Sequence, residues 1–479
     1  MPSLFHTSTT ERLLSQLREG RPITLRQQIA LVGLLSLPSM LAQLSHVVME
    51  YIDASMVGSL GADASASVGL MATSTWMIWG LCSAASAGFC VQVAHLVGAR
   101  DNVAARGVVR QALVATCVFS LVIMSIALSL SGGLPHWLHA SDEICADATA
   151  YFRIVACCLP FSQAVMLCSG SLRSSGNVVV PSLSNVALCV LDVVFNFLLI
   201  FPTRSVSLVG LDVTVPGAGL GVRGAAFGTM AAEVSVGAFL LWYIFCRSKA
   251  LRLRSENGSF VPRRACLGRA FRISFPMAIQ HLVMTSAQVV STRIVAPLGK
   301  MSIAANSFGI TAESICYMPG YGIADAAQTL VGQSLGAGRR NLMRGFARVA
   351  VVTGMLVMGL MGVVMYVGAP VMMALLSPVT EIRELGIEAL RIEAWAEPMF
   401  AASIVCYGVF VGAGDTLKPC VMNLVSMWLV RLTLAYVLAP TYGLAGVWTA
   451  MCVELCFRGL IFLVRLKWGG WERSYKPAK

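Results

Sequence analysis

Apolar stretches long enough to span a membrane recur along the whole chain and alternate with short polar loops. A helix of about 20 apolar residues can cross the hydrocarbon core of a bilayer. The stretches are too long for the strands of a membrane barrel, and they lack the two-residue alternation of such strands. We therefore predict helices and expect no strands anywhere in the chain. The predicted spans are 28–56, 66–96, 107–131, 148–172, 180–202, 222–246, 273–297, 303–332, 349–376, 388–412, 419–440 and 443–464.

The second half of the chain repeats the first. Ser36 and Pro38 recur 238 residues later as Ser274 and Pro276. Proline and glycine at fixed positions mark kinks and close helix approaches. Because each copy has six spans, both copies cross the membrane in the same direction, which predicts parallel repeats. Further pairs at the same offset are Gly98 and Gly336, Pro160 and Pro398, Gly176 and Gly414, Pro181 and Pro419, and Asn185 and Asn423.

The repeat predicts the architecture. We expect an all-α membrane protein whose twelve transmembrane helices form two six-helix bundles, arranged as V-shaped lobes around a central cleft. The first lobe takes residues 28–246, the second takes residues 273–466, and the first copy carries an extra outer loop at 203–221. Rocking one bundle against the other would expose the cleft to each side in turn. This arrangement favours a transporter over a purely structural role.

Composition and charge point to lipid as the surrounding solvent. Hydrophobic residues make up 57% of the chain and charged residues 12%, whereas a soluble protein carries about 25% charged residues. The net charge is +12, but most of the 35 Lys and Arg residues lie on one side, in the N-terminal tail (1–27), the linker (247–272), the C-terminal tail (467–479) and short loops. The positive-inside rule explains this distribution. It predicts a multi-pass protein of the plasma (inner) membrane with both termini cytoplasmic, and no nucleic-acid partner.

Acidic residues within the spans are functional candidates, because a charge at membrane depth costs roughly 2.5–3.5 kcal/mol or more. Asp53 lies late in the first span, Asp192 and Asn196 share one face of the fifth, and Thr229 in the sixth adds a hydroxyl. If these helices converge, they form a pocket of oxygen ligands for H⁺ or Na⁺. The acids within spans are Glu50, Asp53, Asp192, Glu233, Glu313, Asp325, Glu397 and Glu454.

The second copy does not reproduce this pocket. The residues that match Asp53, Asp192 and Asn196 in the repeat are Ser291, Val430 and Leu434. Unequal polar content predicts that coupling to the ion resides in the first bundle. Glu397 and Glu454 are interpreted as lumen-facing or interfacial residues. The candidates for lining a substrate cavity are Glu50, Gln288, Glu313 and Asp325.

The sequence carries no motif of a nucleotide-driven pump or of an enzyme. It has no G-x-x-x-x-G-K-[ST] loop, the motif that binds nucleotide phosphates. Its six histidines and fifteen cysteines have no grouping typical of a metal or catalytic site. We expect no enzymatic activity, no cofactor and no resident metal, with H⁺ or Na⁺ as the coupling ion. A monomer in the lipid bilayer is expected.

Three stretches of the sequence resemble signatures of the multidrug and toxic compound extrusion (MATE) family. They lie at 53–62 in the first span, at 313–338 in the eighth span and the loop after it, and at 412–419 after the tenth. The resemblance runs from about residue 28 to Trp471. It implies a two-lobed, cation-coupled antiporter that exports small amphiphilic, often cationic drugs or toxic metabolites by alternating access. It also implies that Asp53 is the coupling residue.

The chain departs from the family pattern in two places. Members commonly carry Asn and then Asp four residues later on helix 5, whereas here Asp192 precedes Asn196; Thr229 corresponds to a family threonine on helix 6. Acids that some members carry on helices 7 and 10 are replaced here by Met284 and Phe400, so no cation site is expected in the second lobe. The alternative function is a lipid-linked oligosaccharide flippase of the same superfamily. The scarcity of arginine within the spans disfavours it.

Overall fold

The structure, a computed structural model, describes residues 7–138, 141–208, 211–255 and 258–474. The first half of the described chain is built almost entirely of helices. In chain order they are α1 (Thr7–Arg18), α2 (Leu25–Gly58), α3 (Ala62–Gly98), α4 (Asn102–Leu130), the single turn α5 (Leu134–Trp137), α6 (Asp142–Ser174), α7 (Val179–Ile200) and α8 (Val222–Cys246).

The second half continues in the same way. Its helices are α9 (Arg264–Val295), α10 (Lys300–Gly336), α11 (Arg340–Leu376), α12 (Thr380–Glu393), α13 (Glu397–Gly412), α14 (Leu417–Val425) and α15 (Leu432–Trp468). A π-helical segment, Ser426–Arg431, joins α14 to α15.

The prediction of twelve spans is confirmed. Within the described ranges, eight helices are long and apolar enough to cross a membrane, and the bent pair α12 and α13 makes a ninth span. One of the eight, Leu417–Trp468, has 52 residues, or about 78 Å at 1.5 Å per residue, and so holds two spans. It turns back at Gly443, where φ is 59°. The more polar α9 and α10 complete the set.

The tenth span is broken where its counterpart in the first bundle is continuous. Pro160 lies inside the single helix α6. Its repeat partner Pro398 lies in the first turn of α13, after a bend of 61° from α12. Proline is tolerated in the first turn of a helix because no intrahelical bond needs its missing N–H. The same residue in the same register therefore lies within a continuous helix in one copy and at a helix start in the other.

The expectation that the chain has no strands is wrong. Strands β1 (Pro202–Leu208) and β2 (Leu211–Ala218) pair antiparallel in the extra loop between α7 and α8. Hydrophobic residues alternate with polar ones here, for example at Val213 and Val215 around Thr214. That period is typical of a strand. The prediction missed it because it was based on the length of apolar runs.

The N-terminal tail contains a helix that apolar-run length did not predict. Leu13, Leu14 and Leu17 on one face of α1 are buried, with exposed fractions of 3% or less, and pack in the same core cluster as residues of α2, α10 and α11. Arg18 ends the helix, and its guanidinium donates to the carbonyl of Ser175 at 2.8 Å and to Oε1 of Gln333. Helix α1 therefore contacts both bundles.

The two bundles meet through paired glycines that the repeat predicted to mark close approaches. A Cβ added to Gly98 on α3 would lie 2.7 Å from the carbonyl carbon of Gln333 on α10. A Cβ on Gly336 would lie 2.7 Å from the carbonyl carbon of His95 on α3. Gly98 and Gly336 are repeat partners, and so are His95 and Gln333. The contact lies on the side of the membrane that holds α1 and the end of α15, here called the terminal side.

Candidate functional site

Three helices of the first bundle bring together the residues that the sequence predicted to form a pocket. The side-chain amide nitrogen of Asn196 on α7 donates to Oδ1 of Asp53 on α2 at 2.9 Å. It also lies 3.1 Å from Oδ2 of Asp192, one turn earlier on α7. A single amide group therefore bridges two carboxylates from two helices.

Close packing of α7 against α8 positions this bridge. A Cβ on Gly228 of α8 would lie 2.9 Å from Cγ of Asn196, so only glycine leaves room for the amide. One residue later, the Thr229 hydroxyl donates to the carbonyl of Ala225 at 3.3 Å and lies beside Asp192. The predicted hydroxyl therefore belongs to the same pocket.

The pocket is buried, and two of its oxygens have no donor. Asp192 is 0% exposed and Asn196 is 1% exposed, while Asp53 is partly exposed at its rim. Within the described residues, Oδ1 of Asp192 and Oδ1 of Asn196 have no hydrogen-bond partner. A buried acceptor without a partner costs about 1–3 kcal/mol, and more if it is charged. A proton or a small cation is the kind of partner that such an oxygen lacks.

The candidates for a substrate cavity do not gather in one place. Glu50 is exposed on α2, one turn before Asp53, and its carboxylate lies 3.7 Å from Nδ1 of His46. Gln288 is exposed on α9 of the second bundle. Asp325 on α10 lies 3.6 Å from Arg173 of α6, in an ion pair that joins the two bundles.

Glu313, the remaining candidate, is 5% exposed and belongs to a group of buried acids in the second bundle. The others are Glu393, Glu397 and Glu454, each 0% exposed. The sequence had already singled out Glu313, Glu397 and Glu454 as acids within spans, whereas Glu393 was missed. The four-residue spacing between Glu393 and Glu397 is the sequence signal that could have revealed it. Glu397 and Glu454, interpreted from the sequence as lumen-facing or interfacial, are instead fully buried in the second bundle.

Two bundles of transmembrane helices, one of which holds a buried acidic pocket, are the architecture of a membrane transport protein. A family model described as MatE matches residues 38–198 and 276–437, once in each half of the chain. The chain therefore belongs to the MatE family, and it is a multi-pass membrane protein. The resemblance to the MATE family is confirmed.

Relatives and solved structures agree with this assignment. The chain is 25% identical over 442 residues to a probable multidrug resistance protein NorM of Thermotoga maritima, with 92% of each chain covered. It is 26% identical to a NorM protein of Pseudomonas aeruginosa, with 90% of this chain and 87% of the relative covered. A crystal structure of MATE in the straight conformation matches with a TM-score of 0.85 at 20% identity, covering 95% of this chain and 97% of that chain. That likeness concerns the fold.

Proposed function

We propose that this protein is a multidrug efflux transporter that works as a secondary active antiporter. It exports small amphiphilic, often cationic compounds or toxic metabolites in exchange for H⁺ or Na⁺. The observation that carries the proposal is the Asn196-bridged pair of Asp53 and Asp192, with its two buried oxygens that lack donors. Relatives named multidrug resistance proteins support the substrate class.

The pocket suggests how ion binding changes the conformation. Without a bound cation, Asp53 and Asp192 carry adjacent negative charges that share one amide donor. A proton or Na⁺ removes that repulsion and supplies the missing partner, so it stabilises the close packing of α2 against α7. An ion shifts a conformational equilibrium only by its difference in affinity for the two states. Here that difference comes from whether α2 and α7 are in contact.

The orientation follows from charge. The terminal side carries most of the basic residues in loops and tails. We therefore assign it to the cytoplasm, with both termini inside and the protein in the plasma (inner) membrane. In this orientation Asp53, five residues before the end of α2, lies toward the outside, where the coupling ion would enter.

Coupling to one ion provides enough free energy. A charge that crosses the membrane yields about 2.3 kcal/mol per 100 mV. Since about 1.4 kcal/mol corresponds to a factor of ten in concentration, one proton can maintain a substantial gradient of a neutral substrate.

The test is dye efflux from proteoliposomes that contain the purified protein and a fluorescent cationic dye. A proton gradient and a sodium gradient are imposed separately, which distinguishes the two ions. We expect efflux to respond to one of them, and Asp53→Asn to abolish that response. Asp63→Asn serves as the matched control because Asp63 is exposed at the start of α3.

Two outcomes would contradict the proposal. Efflux in Asp53→Asn that still responds to the gradient would remove Asp53 from coupling. Wild-type efflux that responds to neither gradient would favour the flippase alternative, which is then tested by movement of a fluorescent lipid-linked oligosaccharide across the same vesicles.

A further inference from the structure

A groove of about 550 Å³ lies between the start of α11 and the end of α15, on the terminal side of the second bundle. Both helices pack against α13, and the groove runs between them. The residues that line it lie at 344–355 and 463–472. It is therefore separate from the acidic pocket of the first bundle.

The chain after α15 folds back and forms one end of the groove. Gly469 and Gly470 have φ angles of 74° and 83°, a left-handed conformation that glycine adopts readily. The turn places Trp471 in the core, where it is 1% exposed. Glu472 follows, and its carboxylate accepts from Nε and Nη2 of Arg344 at 2.6 and 2.9 Å. This bidentate pair ties the returning segment to α11.

Three basic side chains line the same end of the groove. Arg344 keeps 52% of its side chain exposed although it pairs with Glu472, and Arg348 and Lys467 are exposed. Within residues 258–474, neither the Arg348 nor the Lys467 side chain has a hydrogen-bond or ion-pair partner. Three cations and one carboxylate leave the groove with a net charge of +2. An anionic group is the partner that these cations lack.

The wall of the groove becomes apolar toward the interior of the membrane. Arg344, Arg348 and Val352 recur every four residues and share one face of α11. Val352 is 56% exposed, and Leu356, one turn further, is 70% exposed. Leu463 lines the opposite side, on α15. No charged residue follows Arg348 in α11, so this arginine marks the boundary between the polar interface and the hydrocarbon.

Trp468 supports the same boundary. It is the last residue of α15, it lines the groove, and it is 81% exposed. Tryptophan is enriched at membrane–water interfaces, where its amphipathic ring lies at the level of the lipid headgroups. The cations of the groove therefore lie at headgroup level, and its apolar wall lies beside the acyl chains.

We propose that this groove binds an anionic phospholipid, with the phosphate between Arg348 and Lys467 and the acyl chains along Val352 and Leu463. Basic pockets between transmembrane helices are typical binding sites for anionic lipid headgroups. The site goes beyond the proposed function and uses only the orientation from it, which places the groove in the cytoplasmic leaflet.

Charge and shape favour a lipid over other ligands. The net positive charge would repel a cationic drug. A soluble phosphate would pair with the cations but leave the apolar wall uncovered, whereas a phospholipid covers both. The positive-inside rule accounts for basic residues on this side of the membrane. It does not account for a groove that joins two unpaired cations to an exposed apolar wall.

The test is native mass spectrometry of the full-length protein in detergent, titrated with phosphatidylglycerol or with phosphatidylcholine that has the same acyl chains. We expect phosphatidylglycerol to bind with the higher affinity. The double variant Arg348→Gln with Lys467→Gln should lower its affinity about tenfold or more, because each basic residue near the surface contributes to the attraction of anionic lipid. Binding of phosphatidylcholine should not change.

The matched control is the double variant Arg269→Gln with Arg272→Gln. It removes the same charge from two exposed positions near the start of α9, outside the groove, and should keep the affinity of the wild type. Both double variants change exposed side chains, so the fold should tolerate them. Equal thermal unfolding midpoints without added lipid would verify this.

Three results would overturn the site. Equal affinity of the wild type for the two lipids would remove its selectivity for an anionic headgroup. An equal loss of affinity in the α9 variant would show that total charge, and not the groove, attracts the lipid. Displacement of phosphatidylglycerol by inorganic phosphate at the same concentration would show that the acyl chains contribute nothing.

The position of the acyl chains is tested by fluorescence. Phosphatidylglycerol brominated on its acyl chains quenches tryptophan residues that it contacts. Trp468→Phe should lose part of the quenching that the wild type shows, because Trp468 lines the groove. Unchanged quenching in this variant would contradict the placement of the lipid.

These measurements need neither dye nor gradient, so their failure is distinguishable from that of the proposed function. If efflux fails its test while selective lipid binding remains, only the antiport proposal is contradicted. If selective binding is absent while efflux depends on Asp53, only the lipid site is.

Discussion

The side-chain amide nitrogen of Asn196 lies 2.9 Å from Oδ1 of Asp53, and this bond ties α7 to α2 inside the first bundle. The same nitrogen approaches Asp192, so the bond also connects the exposed rim of the pocket to its buried floor. Any ion that binds here changes what holds the two helices together.

Replacing Asn196 with alanine should impair gradient-driven dye efflux by roughly tenfold or more. A hydrogen bond to a charged group contributes about 1.5–3 kcal/mol, and about 1.4 kcal/mol corresponds to a factor of ten. Asn185→Ala is the control, because Asn185 on the same helix donates to the carbonyl of Ala42 on α2 at 3.2 Å, away from the acids. Equal losses in both variants would mean that any α2–α7 bond matters and that the pocket has no special role.

Asp192→Asn should uncouple transport while preserving substrate binding. Asparagine keeps the shape of the fully buried side chain but cannot gain or lose a proton, and it offers one fewer charge to a cation. We expect substrate affinity in equilibrium binding to stay close to that of the wild type, while efflux no longer follows the ion gradient. A variant that still concentrates dye against its gradient would show that Asp53 acts without Asp192.

Exchanging Arg173 and Asp325 should distinguish a contact between bundles from a substrate contact. Their side chains are 31% and 27% exposed, and pairs of this kind contribute about 0–1 kcal/mol. We expect Asp325→Arg alone to slow efflux and the double variant Arg173→Asp with Asp325→Arg to restore it. Failure of the double variant to recover, for cationic dyes in particular, would return Asp325 to the candidates for substrate binding.

Alanine at Gly98 or Gly336 should lower the thermal stability of this conformation. The added Cβ would overlap the backbone of the facing helix, and overpacking costs about 1–3 kcal/mol. Thermal unfolding in detergent should show a lower midpoint for both variants. Gly107→Ala on α4 is the control, since its Cβ would have no other atom within 4 Å. Equal midpoints in all three variants would contradict the close contact between the bundles.

Apolar-run length and the internal repeat were sufficient to predict the transmembrane helices and the two-bundle architecture. The sequence also predicted the pocket, because residues four apart on a helix share a face, as Asp192 and Asn196 do on α7. Convergence with Asp53 then depended only on packing of α2 against α7. Physical rules that hold within one helix, or between repeated ones, could thus be applied directly to the sequence.

Features that depend on local departures from those rules were missed. The hairpin Pro202–Leu208 and Leu211–Ala218 lies in a loop that is too short and too polar to register as a span. The face of α1 that carries Leu13, Leu14 and Leu17 is buried because both bundles lie against it. Glu393 came to lie near Arg431 through a break in one helix and a π-helical segment in another, and neither irregularity has a counterpart in the first copy.

The glycine contact between the bundles is self-complementary. Gly98 packs on Gln333 and Gly336 packs on His95, and the four residues form two pairs related by the duplication. An interface of this kind is isologous, the type that joins two identical subunits about a two-fold axis. A single six-helix chain with one such surface could have formed a homodimer before the halves were fused. Fusion would then have allowed the two copies to acquire different acids while the ancestral dimer contact was kept.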